Sequence, residues 1–389
     1  MPFSLYLLAL AVFVMGTSEF MLAGLLPAIA RDLDVSVGTA GLLTSAFAIG
    51  MVVGAPLMAS VARRWPPRIT LIACLLLFAG CHIVGALTPA FSVLLATRVL
   101  SALANAGFLA VALTTATALA PADRKGRALA VLLSGTTIAT VAGVPAGALF
   151  GEALGWRSTF WAIAVLCLPA VVGVVRGIPR ASVHAGPDAA APTLRQELRE
   201  LTSPRLLLAM LLGALVNGGT FAAFTFLAPI VTETAGLDAG WVSVALVLFG
   251  VGSFLGVTIA GRLSDHHPGL VLGIGGPLLL MGWIAVALVA SHPVPLLALV
   301  FVQGMLSFGV GSSLIARVLY AASAAPTMGG AYATAALNIG AAVGPVLGGL
   351  ALTTDVGLLG PVWIAAAMTA AALSVASLTR RIDDGARKP

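Results

Sequence analysis

Charge is scarce in this chain. Of its 389 residues only 9% are Asp, Glu, Lys or Arg, against 60% hydrophobic, and mean hydropathy is +1.08. A water-soluble domain carries about 25% charged residues, so no soluble core could hide this much apolar surface. Cysteine is scarce too: Cys74, Cys81 and Cys167 all lie in apolar stretches. That excludes a disulfide framework or thiolate metal site and leaves them as small packing residues. No nucleophile–base pair or set of metal ligands is spaced for catalysis, so no enzyme, cofactor or bound metal is expected. The N-terminus lacks a basic stretch and a small-residue cleavage motif, so the first apolar run reads as a permanent helix.

Long apolar runs are what the chain has in abundance. Each is about 20 residues or more, the length of a membrane-crossing helix rather than of a barrel strand. Proline, glycine and charge divide them into twelve spans: 4–28, 38–61, 69–88, 90–119, 127–152, 158–177, 204–231, 239–262, 269–290, 294–321, 327–352 and 358–379. The expected fold is therefore an all-α integral membrane protein. Two six-helix bundles, 1–177 and 204–379, flank a cytoplasmic linker, 178–203, and a cytoplasmic tail, 380–389, follows. The linker's "TLRQELRELT" fits a short amphipathic helix on the membrane surface.

Of the 20 Lys and Arg, Arg98 falls deep within a span and Arg31 and Arg157 fall in loops on one side; the other seventeen, in loops, near span ends and in the tail, share the opposite side. The positive-inside rule places that side, with both termini, in the cytoplasm of a cell-membrane protein. This accounts for the net charge of +6 without nucleic acid as a partner.

The halves echo each other. "GLLPAIARDL" near Pro27 matches "FLAPIVTETAGL" near Pro229, an offset of 202, and "AGVPAGALFG" around Pro145 matches "AVGPVLGGLA" around Pro345, an offset of 200. Parallel repeats of this kind place a substrate site between the halves near the midplane and make motion a rocking of one half on the other.

One carboxylate stands out. In "VFVMGTSEFMLAGLL" Glu19 lies roughly 22 Å along the first span, and Arg98 lies at similar depth, roughly 12 Å below the far end of the fourth. Glu19 is the only acidic residue these boundaries place deep in a span. An ionised group there is costly enough to imply a function, here proton coupling with Arg98, paired directly or through water. Ser101 and Asn105 continue the Arg98 face at i+3 and i+7. In the second half Asn217, Phe221 and Phe224, with Gln303 and Asn338, offer amides and aromatic rings without charge, a lining for a neutral amphipathic ligand. His82, in the third span, is expected to be buried and hydrogen-bonded rather than a proton carrier.

The architecture and motifs resemble the major facilitator superfamily, and within it the twelve-helix drug:proton antiporter branch. The run Gly135, Gly143, Pro145 and Gly147 in "SGTTIATVAGVPAGALFGEALGWR" is similar to that branch's helix-5 antiporter signature, and Gly344, Pro345 and Gly348 repeat it in helix 11. The resemblance implies that helices 1, 4, 7 and 10 line the cavity and that helices 2, 5, 8 and 11 form the interface. The superfamily's acidic loop motif is degraded after helix 2, in "MASVARRWPPR", whereas "GRLSDHHPG" after helix 8 keeps Gly261 and Asp265. Long segments, among them "GTSEFMLAGLLP" and "RVLSALANAGFLAVAL", further resemble actinomycete chloramphenicol-resistance exporters. That likeness implies proton-driven export of phenicols, hence antibiotic resistance, by a monomer in the bilayer. The alternatives are export of sugars or nucleosides, or passive uniport.

Overall fold

A computed structural model describes residues 3–61, 65–121, 124–178, 194–266, 270–325 and 328–385. Among them no strand occurs, and twelve helices are long and apolar enough to cross a membrane. They are α1 (Phe3–Phe20, continued by Leu22–Asp32), α2 (Val37–Val61), α3 (Pro67–Leu87), α4 (Phe91–Leu119), α5 (Lys125–Ile138 and Val144–Leu154), α6 (Trp156–Gly177), α7 (Pro204–Thr225), α8 (Gly240–His266), α9 (Leu270–Val289), α10 (Pro293–Ala321), α11 (Gly329–Ala351) and α12 (Gly360–Gly385). Arg63, Arg64, most of the linker and the last four residues lie outside the described set.

Proline explains several boundaries and breaks. Pro67, Pro204 and Pro293 open α3, α7 and α10, where a missing N–H costs nothing and the fixed φ suits a helix start. Inside a helix the same residue removes a hydrogen bond. Thus α1 breaks at Met21, one turn and a half before Pro27, and the two segments of α5 are joined by a π turn, Ala139–Gly143, just before Pro145. A second π turn, Ile230–Thr234, follows Pro229 at the end of α7. Gly155, at φ 82°, makes the left-handed link between α5 and α6, which a side chain would strain.

Two helix ends extend beyond the sequence reading. α8 runs to His266, so Gly261 and Asp265 lie in its last turns rather than in a loop, and α12 continues to Gly385. The linker does form a helix, Leu194–Arg199, but Glu197 is buried against the protein, and the hydroxyl of Tyr332 on α11 donates to its backbone carbonyl at 2.8 Å.

One apolar core is built from residues 5–178 with Phe226 added, and a second chiefly from residues 212–376. Where the two halves meet, glycines set the distance. A Cβ on Gly38 of α2 would sit 3.0 Å from the carbonyl of Gly349 on α11, and one on Gly250 of α8 would sit 3.0 Å from Cα of Val141 in α5. Call the face carrying Phe3 and Gly177 the terminal face, and that carrying Asp32 and Gly155 the far face. Near the far face the Leu22–Asp32 segment of α1 and the 139–154 stretch of α5 pack on α7 and α8. Towards the terminal face, the Lys125–Ile138 segment and the Phe3–Phe20 segment, apart from Phe20 at its end, pack within their own half instead. The halves are closed at the far face.

Candidate functional site

The break at Met21 leaves Ser18, Glu19 and Phe20 on the last turn of the first α1 segment. Arg98, fully enclosed at 1% exposure, reaches this turn from α4. Its Nη1 donates to Ser18 Oγ at 2.9 Å and its Nη2 to the Ser18 carbonyl at 2.8 Å, while the guanidinium lies 4.6 Å from the centroid of Phe47 on α2. Cation–π contact and two hydrogen bonds together hold the charge out of water. The Nε–H of Arg98 has no acceptor among the described residues.

Glu19, the next residue along, is half-buried and makes no hydrogen bond or ion-pair contact among the described residues; the field of Arg98 nevertheless reaches it. The expected pairing of the two charges is therefore not direct here. Sequence reasoning placed them at the same depth but missed that Ser18 and its carbonyl would take the guanidinium first. His82 completes the group: Ser18 Oγ lies 2.7 Å from its Nε2, and its Nδ1 lies 2.7 Å from the Phe78 carbonyl. It is buried and hydrogen-bonded as expected, yet it touches the charged site, which its place on an outer helix gave no reason to foresee.

The remaining candidates divide. Ser101 hydrogen-bonds back to the Arg98 carbonyl at 3.0 Å, and Asn105, one turn on, is 3.7 Å from Met51 Sδ. Phe221 and Phe224 join Phe20 in a cluster across the two halves, with centroids 5.8 Å and 6.2 Å from the Phe20 ring. Asn217 donates to the Leu337 carbonyl of α11 at 2.7 Å, and Asn338 to Thr334 on its own helix at 3.0 Å. Gln303 points away from the seam, against Gly282 and Leu279 of α9, so it does not meet Asn217 or Asn338.

The signature glycines are close-approach points within each half. Gly135 and Gly143 of α5 sit on α1, against Phe13 and Thr17, and Gly147 sits against Thr159 of α6. In the second half Gly344 and Gly348 of α11 sit on α7, against Gly218 and Phe226. Pro145 and Pro345 both lie inside these helices, as the repeat requires. Beyond the seal, the far face carries a cleft of about 870 Å³ lined by Arg31, Asp34, Glu152 and Glu233 among others. Among the described residues no group of His, Cys, Asp and Glu could hold a metal ion.

This geometry, two six-helix halves closed at one face with a charged group beside the seam, has relatives. The Major Facilitator Superfamily profile matches residues 8–336. The chain belongs to that superfamily. It is 65% identical to the chloramphenicol resistance protein of Streptomyces lividans, over 97% of this chain and 96% of the other. The inner membrane transport protein YdhP of Escherichia coli K12 is 32% identical over 91% of this chain and 90% of its own. A crystal structure of a bacterial homologue of the human lysosomal transporter Spinster, inward-facing and unoccupied, shares the fold: the TM-score is 0.72, identity is 17%, and coverage is 96% of this chain and 94% of that one. As a facilitator-superfamily member the chain is a multi-pass membrane transporter of a small-molecule substrate, not an enzyme.

Proposed function

We propose that this transporter exports chloramphenicol and related phenicols in exchange for protons, by alternating access between the two halves. The 65% identity to a chloramphenicol resistance protein supports the substrate. The single observation that carries the coupling is Glu19, a carboxylate without a hydrogen bond among the described residues, on the same turn that seats Arg98. With Glu19 protonated, Arg98 rests on Ser18. When Glu19 loses its proton, its charge competes for the guanidinium, whose Nε–H is free to donate. That exchange changes the packing of α1 against α4 and biases which face is open. The aromatic cluster of Phe20, Phe221 and Phe224 offers an aromatic drug a stacking surface at the seam, and Ser101, Asn105, Asn217 and Asn338 are the polar candidates.

In this reading the terminal face is cytoplasmic, by the positive-inside rule, so the structure is the inward-facing state of a plasma-membrane monomer. The units that rock are 1–177 and 204–379. Purified protein in inverted liposomes should accumulate radiolabelled chloramphenicol when a pH gradient, acid inside, is imposed. Accumulation indifferent to that gradient would mark a passive uniporter. Absence of chloramphenicol transport alongside gradient-driven movement of a sugar or nucleoside would reassign the substrate.

A further inference from the structure

We infer that His82 is a positioning residue for transport: through Ser18 it sets how firmly Arg98 is seated on α1, and so how readily the guanidinium passes to Glu19. The inference rests on the reading of Glu19 and Arg98 as the coupling pair.

The hydrogen bonds around His82 run in one direction only. A carbonyl can only accept, so Phe78 fixes the ring proton on Nδ1. In the neutral ring Nε2 is then an acceptor, and the Ser18 hydroxyl, 2.7 Å away, must donate to it. With its proton committed to the ring, Ser18 Oγ presents lone pairs to Arg98, whose Nη1 donates to it at 2.9 Å. The chain therefore reads Arg98 to Ser18 to His82 to the Phe78 carbonyl, each link a donor feeding an acceptor.

Without an acceptor at His82, the Ser18 hydroxyl has another partner available: the carbonyl four residues back on its own helix. Its neighbour Thr17 already makes that bond, to Phe13, at 2.8 Å. Turning Ser18 in that direction would withdraw Oγ from Arg98 and leave only the bond to the Ser18 carbonyl. The ring is itself held in place, with Phe78 at 4.4 Å and Phe160 of α6 at 5.6 Å between centroids. The ionisable groups about it are Arg98 from α4, Glu19 from α1 and Cys81 on its own helix, which also lies in the field of Arg98. A proton on Nε2 would end its acceptance from Ser18 and set a second cation beside Arg98. The site holds the ring neutral.

The test compares two modes of transport by the full chain in liposomes: gradient-driven uptake of radiolabelled chloramphenicol, and chloramphenicol–chloramphenicol exchange without a gradient. His82→Leu and Ser18→Ala should each lower the ratio of driven uptake to exchange about tenfold, the worth of one good buried hydrogen bond. His82→Gln, whose amide can accept from Ser18 and donate to Phe78, should recover the ratio to within about threefold of wild type. An unchanged ratio in both His82→Leu and Ser18→Ala overturns the inference, as does a Gln variant no better than Leu. If His82→Leu fails to fold, Ser18→Ala, which removes a single oxygen, decides. Driven uptake surviving in Glu19→Gln would sink the reading of Glu19 alone, and the His82 ratio would still report on the seat of Arg98. A second arm needs no substrate: in protein labelled with 15N-histidine, the signal missing from His82→Gln must be a neutral ring protonated on Nδ1. A ring protonated on Nε2 overturns the inference whatever the protein transports.

Discussion

Phe221 packs against Phe20 with ring centroids 5.8 Å apart, one ring from each half. By the 202-residue offset of the repeat, Phe221 is the counterpart of Glu19, so the duplicated position holds a carboxylate in one half and an apolar ring in the other. Removing the ring should loosen the seal and weaken drug binding together. Phe221→Ala is expected to raise the half-saturating chloramphenicol concentration about fivefold, an aromatic pair being worth about 0.5–1.5 kcal/mol beyond its area, whereas Phe221→Tyr should stay near wild type. Concentration-dependent uptake in liposomes measures both. A Phe221→Glu variant, which restores the symmetry, should not transport.

Glu19→Gln keeps the shape of the side chain and removes its charge. Cells expressing it should lose chloramphenicol resistance, while the purified variant still binds the drug and still exchanges it. Drug-dependent proton release in weakly buffered detergent, expected of the wild type, should be absent from the variant.

At the far face the Arg157 guanidinium forms an ion pair with Asp32, and Trp156 Nε1 adds a hydrogen bond at 3.1 Å. The bond from Arg157, ahead of any other influence, holds the Asp32 carboxyl below its ordinary value. Such a group stabilises the fold fully above the unfolded value, about pH 3.9, and the contribution disappears as pH falls through the lower folded value. Both side chains are partly exposed, at 33% and 44%, so Asp32→Asn should cost at most about 1 kcal/mol at pH 7. Thermal denaturation in detergent should show the gap between variant and wild type closing as the pH is taken below about 4.

Glu197 of the linker helix is wholly buried, and neither of its carboxylate oxygens has a hydrogen-bond partner among the described residues. An unsatisfied buried polar group costs about 1–3 kcal/mol. Glu197→Leu should therefore raise the unfolding midpoint in detergent, and Glu197→Gln should raise it less. A fall in both would mean that the carboxylate has a partner when the protein works.

How much of this could be read from the sequence varies with the range of the interaction involved. Twelve spans, the repeat and the shared depth of Glu19 and Arg98 follow from helix rise and apolar run length, which are local properties. The seam glycines were recognisable as a pattern, although not that those of α5 turn towards α1 and that, among the described glycines, only Gly250, on α8, meets α5 from the other half. What stayed hidden depends on rotation about a helix axis and on competition for donors. Gln303 was placed with the lining because its depth is right, yet its helix turns it to α9. Ser18 looked like one more small residue, and nothing in "GTSEF" says that it outcompetes Glu19 for a guanidinium 80 positions away. The burial of Glu197 likewise depends on where the linker docks, which amphipathic pattern alone does not specify.

Gly38 and Gly349 approach until a Cβ on either would lie 3.0 Å from the other's carbonyl. Closure there depends on atoms that are missing, so every substitution acts in the same direction, as a wedge. Sequence change at such positions cannot be compensated by a smaller residue, because none exists. In a saturating mutational scan selected for drug resistance, Gly38 and Gly349 should therefore lose fitness in step with the size of the residue introduced, with no substitution gaining.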